Sequence, residues 1–296
     1  MKVLVTGGSG FLGCYVCDAL LARGHGVIGT STDGQSLPDG VTRAALRLDD
    51  GGREAAKLVG SLSPDAVLHL AAFSDADRCA QDPAAAQRVN AQATGRIAHA
   101  AHARGAHLIY ASTDLVFDGR ESPYADDAPL SPLGVYPLSK ALGEAAVRAV
   151  NPAFLVARLA LMYGLKRGRH GSFTDHFVER LRAGEPVKLF VDQWRTPVEV
   201  GDAAQLLVEL LEQRTPGVLN VAGPERVDRH ELGLALAEAL DLDTSLCHPG
   251  RVADAGLAPR PADVALDVRR LTALLGRSPL GVAEGCARVA ARHTAG

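Results

Sequence analysis

The chain has 296 residues, of which 47% are hydrophobic and 22% are charged, and its formal net charge at pH 7 is −3. This size and composition are typical of a globular protein with a sizeable buried core. The small negative charge argues against a nucleic-acid partner, which needs a basic surface. Because Arg, Asp or Gly interrupts the longest apolar runs, we expect no membrane-spanning segment and a soluble, cytoplasmic protein.

Short apolar runs alternate with helical patterns through the first 160 residues. Apolar runs bounded by turn residues predict strands at 2–6, 26–30, 44–48, 66–70, 107–111 and 153–158. Helical periodicity predicts helices at 11–23, 54–62, 83–104 and 136–149. Strands that alternate with helices build a parallel sheet covered on both faces, with right-handed crossovers. The predicted fold class is therefore α/β, a Rossmann-type doubly wound parallel sheet.

Beyond residue 160 the pattern is less regular, and its loops are rich in Gly, Arg and Pro. The predicted elements there are helices at 172–182, 203–212 and 229–240 and extended segments at 187–191 and 218–221. We expect a nucleotide-binding Rossmann domain at residues 1–160, to which some later segments return. Residues 161–296 are expected to form mainly a small C-terminal substrate-binding lobe.

Cys14 and Cys17 have the spacing of a redox pair or half a metal site. Both fall on the predicted first helix, and the sequence has no second such pair or nearby histidines to complete a site. We therefore expect small buried thiols and no bound metal.

A glycine-rich turn, TGGSGFLG at residues 6–13, joins the first strand to the first helix. Gly7 permits a tight turn, Gly10 lets the backbone approach a pyrophosphate, and Gly13 lets helix and strand pack closely. The helix N-terminus adds unpaired N–H groups and the positive end of the helix dipole. The sequence therefore predicts a dinucleotide cofactor on this loop. The expected contacts are Gly7, Ser9, Gly10, Phe11, Leu12 and Gly13.

The end of the second strand bears on which nicotinamide cofactor binds. An acidic residue that binds the ribose usually stands there, but this chain has Thr30, with Asp33 three residues later. Without the acid, a 2′-phosphate meets no repulsion, and Ser31 and Thr32 are placed to donate hydrogen bonds to it. NADP(H) is therefore favoured over NAD(H). Asp49, after the third strand, is either an acceptor for the adenine amino group or a solvated turn residue.

Tyr136 and Lys140 form a YxxxK pair on a predicted helix. Positions i and i+4 share a helix face, so Lys140 is expected beside the Tyr136 ring. An ammonium there would lower the pKa of the phenol from about 10 towards neutrality and make it a usable proton donor. Ser112 and Thr113 end the fifth strand, where ligands bind in open α/β sheets, and a hydroxyl there would orient a substrate carbonyl.

Together these segments resemble the extended short-chain dehydrogenase/reductases, and within them the dTDP-4-dehydrorhamnose reductase-like branch. That branch also includes the regulatory beta subunit of methionine adenosyltransferase. The similarity rests on TGGSGFLG, HLAA at 69–72 and STDLVFDG at 112–119. It implies that Thr113, Tyr136 and Lys140 are catalytic, with Tyr136 and Lys140 also at the cofactor. It places Asn90 in the helix beneath the sheet, near the cofactor or as a purely structural side chain. Further cofactor contacts implied by the resemblance are Leu70, Ala71 and Ala72.

The second half resembles the same branch through DQWRTP at 192–197 and RPADVALD at 260–267. In relatives these segments shape the substrate side of the cleft. Arg195 and Arg260 are therefore candidates for bidentate pairing with a diphosphate, or else for structural ion pairs. Asp114 is a further candidate for substrate binding.

Two departures from the family pattern narrow the function. Leu161 stands where the dehydrorhamnose reductases carry a Trp, which weakens the match to that exact substrate. Asp114 is followed by Leu115, whereas sugar-nucleotide dehydratases need an acid pair there.

The sequence thus predicts an NAD(P)H-dependent reductase of a keto group on a nucleotide-linked sugar. The alternatives are a sugar-nucleotide epimerase with the same triad and a non-catalytic NADP-binding regulatory subunit. The expected partner is the small-molecule substrate, and a homodimer is left open.

Overall fold

A computed structural model of the chain describes residues 1–32, 37–167, 171–255 and 260–294, so Asp33 lies outside the described residues. The strands are β1 (Lys2–Thr6), β2 (Gly26–Ser31), β3 (Thr42–Ala45), β4 (Ala66–His69), β5 (His107–Thr113), β6 (Leu155–Leu159), β7 (Met162–Tyr163), β8 (Val187–Phe190), β9 (Trp194–Arg195), β10 (Val198–Glu199), β11 (Gly217–Val221), β12 (Val227–Asp228) and β13 (Cys247–Gly250). The α-helices are α1 (Phe11–Ala22), α2 (Arg53–Leu62), α3 (Ala76–Gln81), α4 (Pro83–Gln87), α5 (Thr94–Ala103), α6 (Val135–Val150), α7 (Phe173–Arg182), α8 (Val200–Glu212), α9 (Arg229–Ala239), α10 (Arg269–Leu275) and α11 (Val282–Thr294).

Seven strands form the central sheet in the order β11-β6-β5-β4-β1-β2-β3, and every neighbouring pair is parallel. The inner strands are apolar on both faces, as burial between two helical layers requires; all seven residues of β5 are buried. The predicted Rossmann-type doubly wound sheet is confirmed. The strand order reverses between β1 and β4, and a crevice for ligands forms outside the carboxyl ends of strands at such a point.

Helices cover both faces of the sheet. One face carries α1 and α8, which pack against each other, and the other carries α2, α5 and α6. Helix α1 is apolar on most sides because it lies between the sheet and α8. Cys14 and Cys17 are buried in this helix as free thiols.

Residues 200–221 return to the sheet after the chain has entered the smaller lobe. Helix α8 packs on α1, and β11 adds to the sheet beside β6, with Val218 opposite Val156. We propose that the lobe comprises the remaining parts of 161–296. The lobe holds three two-stranded ladders (β7 with β10, β8 with β13 and β9 with β12) and its own apolar core.

The third strand is placed earlier than expected, at Thr42–Ala45 in place of 44–48. It pairs with β2 in a register that puts Ala45 opposite Ser31, the last residue of β2. Leu46 and Leu48 are buried, but they lie beyond the end of their neighbouring strand. Leu46 still donates its backbone N–H to the carbonyl of Ser31 at 2.9 Å, so pairing with β2 ends there.

Two surface features relate to partners. Among the described helices, none has both the length and the apolar character needed to cross a bilayer. Leu130, Leu133, Leu138 and Leu142 are exposed on α6 and on the segment that precedes it. These exposed leucines do not test the homodimer that the sequence analysis left open.

A buried ion pair holds α6 on the sheet. Glu144 of α6 is 1% exposed and Arg158 of β6 is 3% exposed, and an Arg158 Nη2 donates to Glu144 at 2.9 Å. The neighbouring Ser112 of β5, opposite Arg158 in the sheet, donates its hydroxyl to the same carboxylate at 2.6 Å. Arg158 also donates to the carbonyl oxygen of Asp126 at 2.8 Å. Buried charges are tolerated when they are paired and hydrogen-bonded in this way.

We predict that Glu144→Ala lowers the free energy of unfolding by about 3–5 kcal/mol, because the Arg158 charge is left buried without its partner. The measurement is chemical denaturation at neutral pH. Arg269→Ala is the control, because Arg269 is highly exposed and its pair with Asp267 should contribute at most about 1 kcal/mol. A loss below about 1 kcal/mol for Glu144→Ala would mean that the pair does not hold α6 in place.

Candidate active site

A cleft of about 910 Å³ lies along the carboxyl ends of β2, β1, β4 and β5. Thr30 lines the end of the cleft where the adenosine of a dinucleotide is expected, and Gly10 lines the part at the glycine loop. Thr113 and Tyr136 line the other end. The sequence-derived candidates that line this cleft are Gly7, Ser9, Gly10, Phe11, Leu12, Gly13, Thr30, Ser31, Asp49, Leu70, Ala71, Ala72, Ser112, Thr113, Tyr136 and Lys140. The cleft lining does not include four other candidates within the described residues: Asn90, Asp114, Arg195 and Arg260.

The glycine loop is shaped by two close backbone approaches. Gly7 has φ of +70°, a conformation that favours glycine, and a Cβ there would lie 2.9 Å from the backbone of Ala71. A Cβ on Gly13 would lie 2.1 Å from the carbonyl oxygen of Gly7. Gly10 differs from both, since its φ is −73° and a Cβ would be 3.1 Å from the same oxygen. Gly7 and Gly13 are therefore needed for the loop itself, whereas Gly10 leaves its outer surface open.

This loop fits the pyrophosphate of a dinucleotide. Gly10 is the N-cap of α1 and has no side chain to cap the helix. The first N–H groups of a helix lack intrahelical partners, so those that follow Gly10 are available to an anion at the positive end of the helix dipole. The Gly7 N–H is already used, because it donates to the Thr30 hydroxyl at 3.3 Å.

Charged residues at the adenosine end of the cleft were only partly expected. Thr30, where the usual acid is missing, helps to hold the glycine loop through the contact with Gly7. Asp49 lines the cleft and pairs with Arg47 at 2.8 Å, and this pairing holds the pKa of the Asp49 carboxyl below its usual range. Sequence reasoning missed Arg47, which lines the cleft beside Ser31. Its signal is weak, because Arg47 lies in a segment that alternates buried and exposed residues like an ordinary edge strand.

Tyr136 begins the first turn of α6 and meets Thr113 at the end of β5. The Thr113 hydroxyl donates to Asp114 Oδ1 at 3.1 Å, and it lies near the Tyr136 phenol. Burial raises the pKa of the Tyr136 phenol, and the Asp114 carboxylate raises it further, against the opposing effect of the Thr113 hydroxyl. The expected lowering of this pKa is therefore wrong for this structure. The phenol stays protonated at neutral pH and remains a proton donor.

The position of Lys140 explains why the expected effect on Tyr136 is missing. Lys140 is buried, its Nζ donates to the carbonyl oxygen of Ala111 at 2.6 Å, and it lies 4.2 Å from the centre of the Tyr110 ring. Burial lowers the pKa of the Lys140 ammonium to about 7, and the Glu144 carboxylate opposes that shift. An ammonium has three donors, so two remain for groups in the cleft.

Ser112 has a different role from the one expected. Its hydroxyl donates to the buried Glu144 carboxylate at 2.6 Å, so it stabilises the ion pair beneath the site. Thr113, the next residue, has its side chain on the opposite face of the strand, where Tyr136 lies. Thr113 is therefore the hydroxyl available to orient a carbonyl.

Asn90 supports the cleft from below. Its side-chain amide accepts the N–H of Phe73 at 2.8 Å and donates to the carbonyl of Phe73 and to the Ser139 hydroxyl, both at 2.9 Å. Residues 88–93 around it form a π-helical segment that interrupts the single helix expected at 83–104. Such segments widen a helix locally and recur at functional sites. Asn90 thus ties the Phe73 loop to α6 and does not contact the cleft.

The Arg195 side chain already forms several hydrogen bonds within the protein, unlike a side chain that is free to bind a diphosphate. Its terminal nitrogens donate to the carbonyls of Trp194, Pro261 and Ala262 at 2.6, 3.1 and 3.2 Å. Its Nε lies 3.8 Å from Asp114 Oδ2, an oxygen with no hydrogen-bond partner among the described residues. Burial raises the pKa of Asp114, and Arg195 opposes the shift. The structural interpretation of Arg195 is therefore the one that these contacts favour.

Sequence reasoning also missed Arg229, the first residue of α9. Its guanidinium lies 4.0 Å from the centre of the Phe173 ring. Burial lowers its pKa to about 10, and the charges of Arg195 and Arg260 lower it in the same direction. Arg260 itself is exposed. The charges of Arg195 and Arg260 therefore act on Arg229, although the three residues are 31 to 65 positions apart in the sequence.

Comparison with known proteins gives one family and several full-length relatives. The sequence profile of the family described as RmlD substrate binding domain matches residues 1–294. A probable low-salt glycan biosynthesis reductase of Haloferax volcanii, Agl14, is 33% identical and covers 94% of this chain and 93% of its own length. A dTDP-4-dehydrorhamnose reductase of Mycolicibacterium smegmatis is 31% identical (94% and 81%). The methionine adenosyltransferase 2 subunit beta of Xenopus laevis is 30% identical (91% and 81%).

Solved structures share the fold over the whole chain. The dTDP-4-dehydrorhamnose reductase of Yersinia enterocolitica has a TM-score of 0.84 at 27% identity and covers 98% of both chains. The enzyme of Bacillus anthracis with that name, solved with NADP, has a TM-score of 0.86 at 22% identity (98% and 99%) and is similar in fold alone. WbmH of Bordetella bronchiseptica, solved with NAD+, has a TM-score of 0.83 at 25% identity (99% and 98%).

We predict that Gly10→Ala and Gly13→Ala have different effects. The methyl group of Gly10→Ala projects where the pyrophosphate would approach, so cofactor affinity should fall at least tenfold, about 1.4 kcal/mol, with little change in stability. Gly13→Ala forces the loop apart and should also destabilise the fold by about 1–3 kcal/mol. The measurements are calorimetric titration with the cofactor and thermal melting.

Gly60→Ala is the matched control for both variants. It lies in α2, and a Cβ there meets only the end of Arg104 at 3.7 Å. It should leave cofactor affinity unchanged and stabilise the helix by about 0.5–1 kcal/mol. Unchanged affinity in Gly10→Ala would remove the loop from the cofactor site.

Proposed function

The chain belongs to the RmlD substrate binding domain family, and we propose that it reduces the keto group of a nucleotide-linked sugar with NADPH. It is an NAD(P)-dependent oxidoreductase of the extended short-chain dehydrogenase/reductase type. The observation that carries the substrate proposal is that Thr113 and Tyr136 both line the cleft, while the adjacent Asp114 interacts electrostatically with Arg195 and Arg229. A 4-keto sugar linked to a nucleoside diphosphate presents its carbonyl to Thr113 and Tyr136 and its diphosphate to the arginines.

The bound nicotinamide supplies a hydride, which adds to the keto carbon. On substrate binding, the Thr113 hydroxyl would turn its single O–H from Asp114 to the carbonyl oxygen and fix the position of that oxygen at the end of β5. As negative charge develops on that oxygen, Tyr136 donates its phenolic proton, and the product is an alcohol. Lys140, held by the Ala111 carbonyl, has donors left to hold the ribose hydroxyls of the cofactor.

A second candidate function is regulatory, with the cleft binding cofactor and doing no chemistry. The similarity to the methionine adenosyltransferase 2 subunit beta favours it.

An epimerase would use the same residues and return the hydride to the substrate. The three differ in an assay that follows NADPH absorbance with keto sugars, beginning with dTDP-4-dehydrorhamnose. A reductase consumes NADPH stoichiometrically, an epimerase isomerises the sugar without net consumption, and a regulatory subunit binds NADPH and forms no product.

The preference for NADPH is supported by Arg47. This side chain lines the cleft near Ser31 and Thr32, where an adenosine 2′-phosphate would lie. The side chains of Arg47 and its partner Asp49 are both more than half exposed, so their pairing is weak and a phosphate with two negative charges competes with Asp49 for Arg47.

We predict that the wild-type protein prefers NADPH to NADH by at least tenfold, and that Arg47→Gln removes most of this preference by weakening NADPH binding alone. Titration with both cofactors measures it. Arg53→Gln, which alters an exposed arginine outside the cleft lining, should change neither affinity. If NADH bound at least tenfold more tightly than NADPH, the interpretation of Thr30, Ser31 and Arg47 would be wrong.

We predict that Tyr136→Phe keeps the fold and cofactor affinity but loses turnover by at least about a hundredfold, because only the proton donor is removed. Retention of near-wild-type turnover would contradict the assignment of Tyr136.

Asp114→Asn gives an independent test through the pH profile. Since the Asp114 carboxylate raises the pKa of Tyr136, removing its charge lowers that pKa. The alkaline limb of the pH–rate profile should then move to lower pH. A limb that stays in place or moves to higher pH would show that Asp114 does not act on the phenol.

A further inference from the structure

We propose that Arg229, stacked on Phe173, is the principal ligand of the substrate's diphosphate in this chain, and that Arg195 is not. This rests on the proposed function in so far as the ligand is a nucleotide-linked sugar. It assigns the anion to a residue outside the DQWRTP and RPADVALD segments.

Arg229 is a half-buried cation that forms no ion pair with the part of the chain that the structure describes. Among the described residues, its recorded contact is the face of the Phe173 ring, at 4.0 Å from the ring centre. A stacked guanidinium keeps its N–H donors free at its edge, in the plane that a phosphate approaches.

Arg226, in the same lobe, is an arginine with both an aromatic contact and an anionic partner. It also lies 4.0 Å from the centre of an aromatic ring, that of Trp194. Its guanidinium in addition pairs with the Asp263 carboxylate at 2.7 Å. The two arginines thus have the same stacking, and they differ in that Arg229 lacks the anionic partner within the described part of the chain.

The electrostatic surroundings of Arg229 also favour an anion. Arg195 and Arg260 both act on it, and Asp114 is the acid that opposes them. Gathering like charges costs free energy unless an anion joins them, and such an arrangement is typical of a binding site. A diphosphate carries two or more negative charges and matches the guanidinium geometry.

Arg229 also lies close to the cleft. Phe173 follows Gly171, which lines the cleft, and the charge of Asp114, next to Thr113, reaches Arg229. The anion at Arg229 would therefore lie on the substrate side of the hydroxyls that orient the keto group. Arg195 already commits three of its five N–H donors to the carbonyls of residues 194, 261 and 262, which hold its guanidinium in place.

The test is calorimetric titration of the full chain with dTDP and with inorganic pyrophosphate, in the presence of saturating cofactor to block the glycine loop. Arg229→Gln should weaken both at least tenfold, and Phe173→Leu should weaken them less. Arg229→Lys keeps the charge without the planar donors and should fall between wild type and Arg229→Gln. Arg226→Gln is the matched control and should leave both affinities unchanged.

The outcomes separate this inference from the proposed function. If Arg229→Gln and Arg229→Lys, shown to be folded by melting and by normal cofactor affinity, bind dTDP as the wild type does, the inference is overturned. It is also overturned if the wild type binds neither probe. If dTDP binding depends on Arg229 and no keto sugar consumes NADPH, the inference holds and the proposed reaction is wrong.

Discussion

The buried contact among Glu144, Arg158 and Ser112 is the constraint on which the site depends. It joins α6 to β5 and β6 through one carboxylate with donors on two neighbouring strands. Because Tyr136 and Lys140 lie on the same helix, this contact sets their position relative to Thr113 at the end of β5. Removing one partner of a pair so deeply buried is costly, because the other charge is left buried without compensation. The geometry of the proton donor is thus determined by a contact one helical turn beyond the catalytic lysine.

The site also contains buried and like-charged groups whose unfavourable free energy a bound ligand would reduce. Burial lowers the pKa of Lys140 to about 7 and raises that of Tyr136. On the substrate side, Arg229 stands among Arg195 and Arg260. Perturbed groups of this kind gather where a protein binds and reacts with charged ligands. The cofactor end and the substrate end of the cleft share this property, with the hydroxyls of Thr113 and Tyr136 between them.

Local patterns predict the features that are local in the chain. The glycine loop, the YxxxK pair and the alternation of strands and helices each lie within one or two elements, and the sheet follows from them. The partners of Ser112, Asn90 and Arg195 could not be predicted, because they lie 32, up to 49 and up to 67 residues away and depend on tertiary packing. Arg229 carries no motif, and its role emerges only when α9 is placed beside Phe173. The expected effect of Lys140 on Tyr136 was wrong because helical spacing does not reveal that the Ala111 carbonyl holds the ammonium.

The central claim is that this chain transfers a hydride to a keto carbon while Tyr136 supplies the proton. The most direct measurement uses NADPH deuterated at both C4 positions, a nucleotide-linked 4-keto sugar and mass spectrometry of the product. The account predicts a sugar alcohol that carries one deuterium on carbon, formed with one equivalent of NADP+, and almost none with Tyr136→Phe. An isomerised keto sugar without deuterium, or unchanged substrate beside tightly bound cofactor, would contradict it.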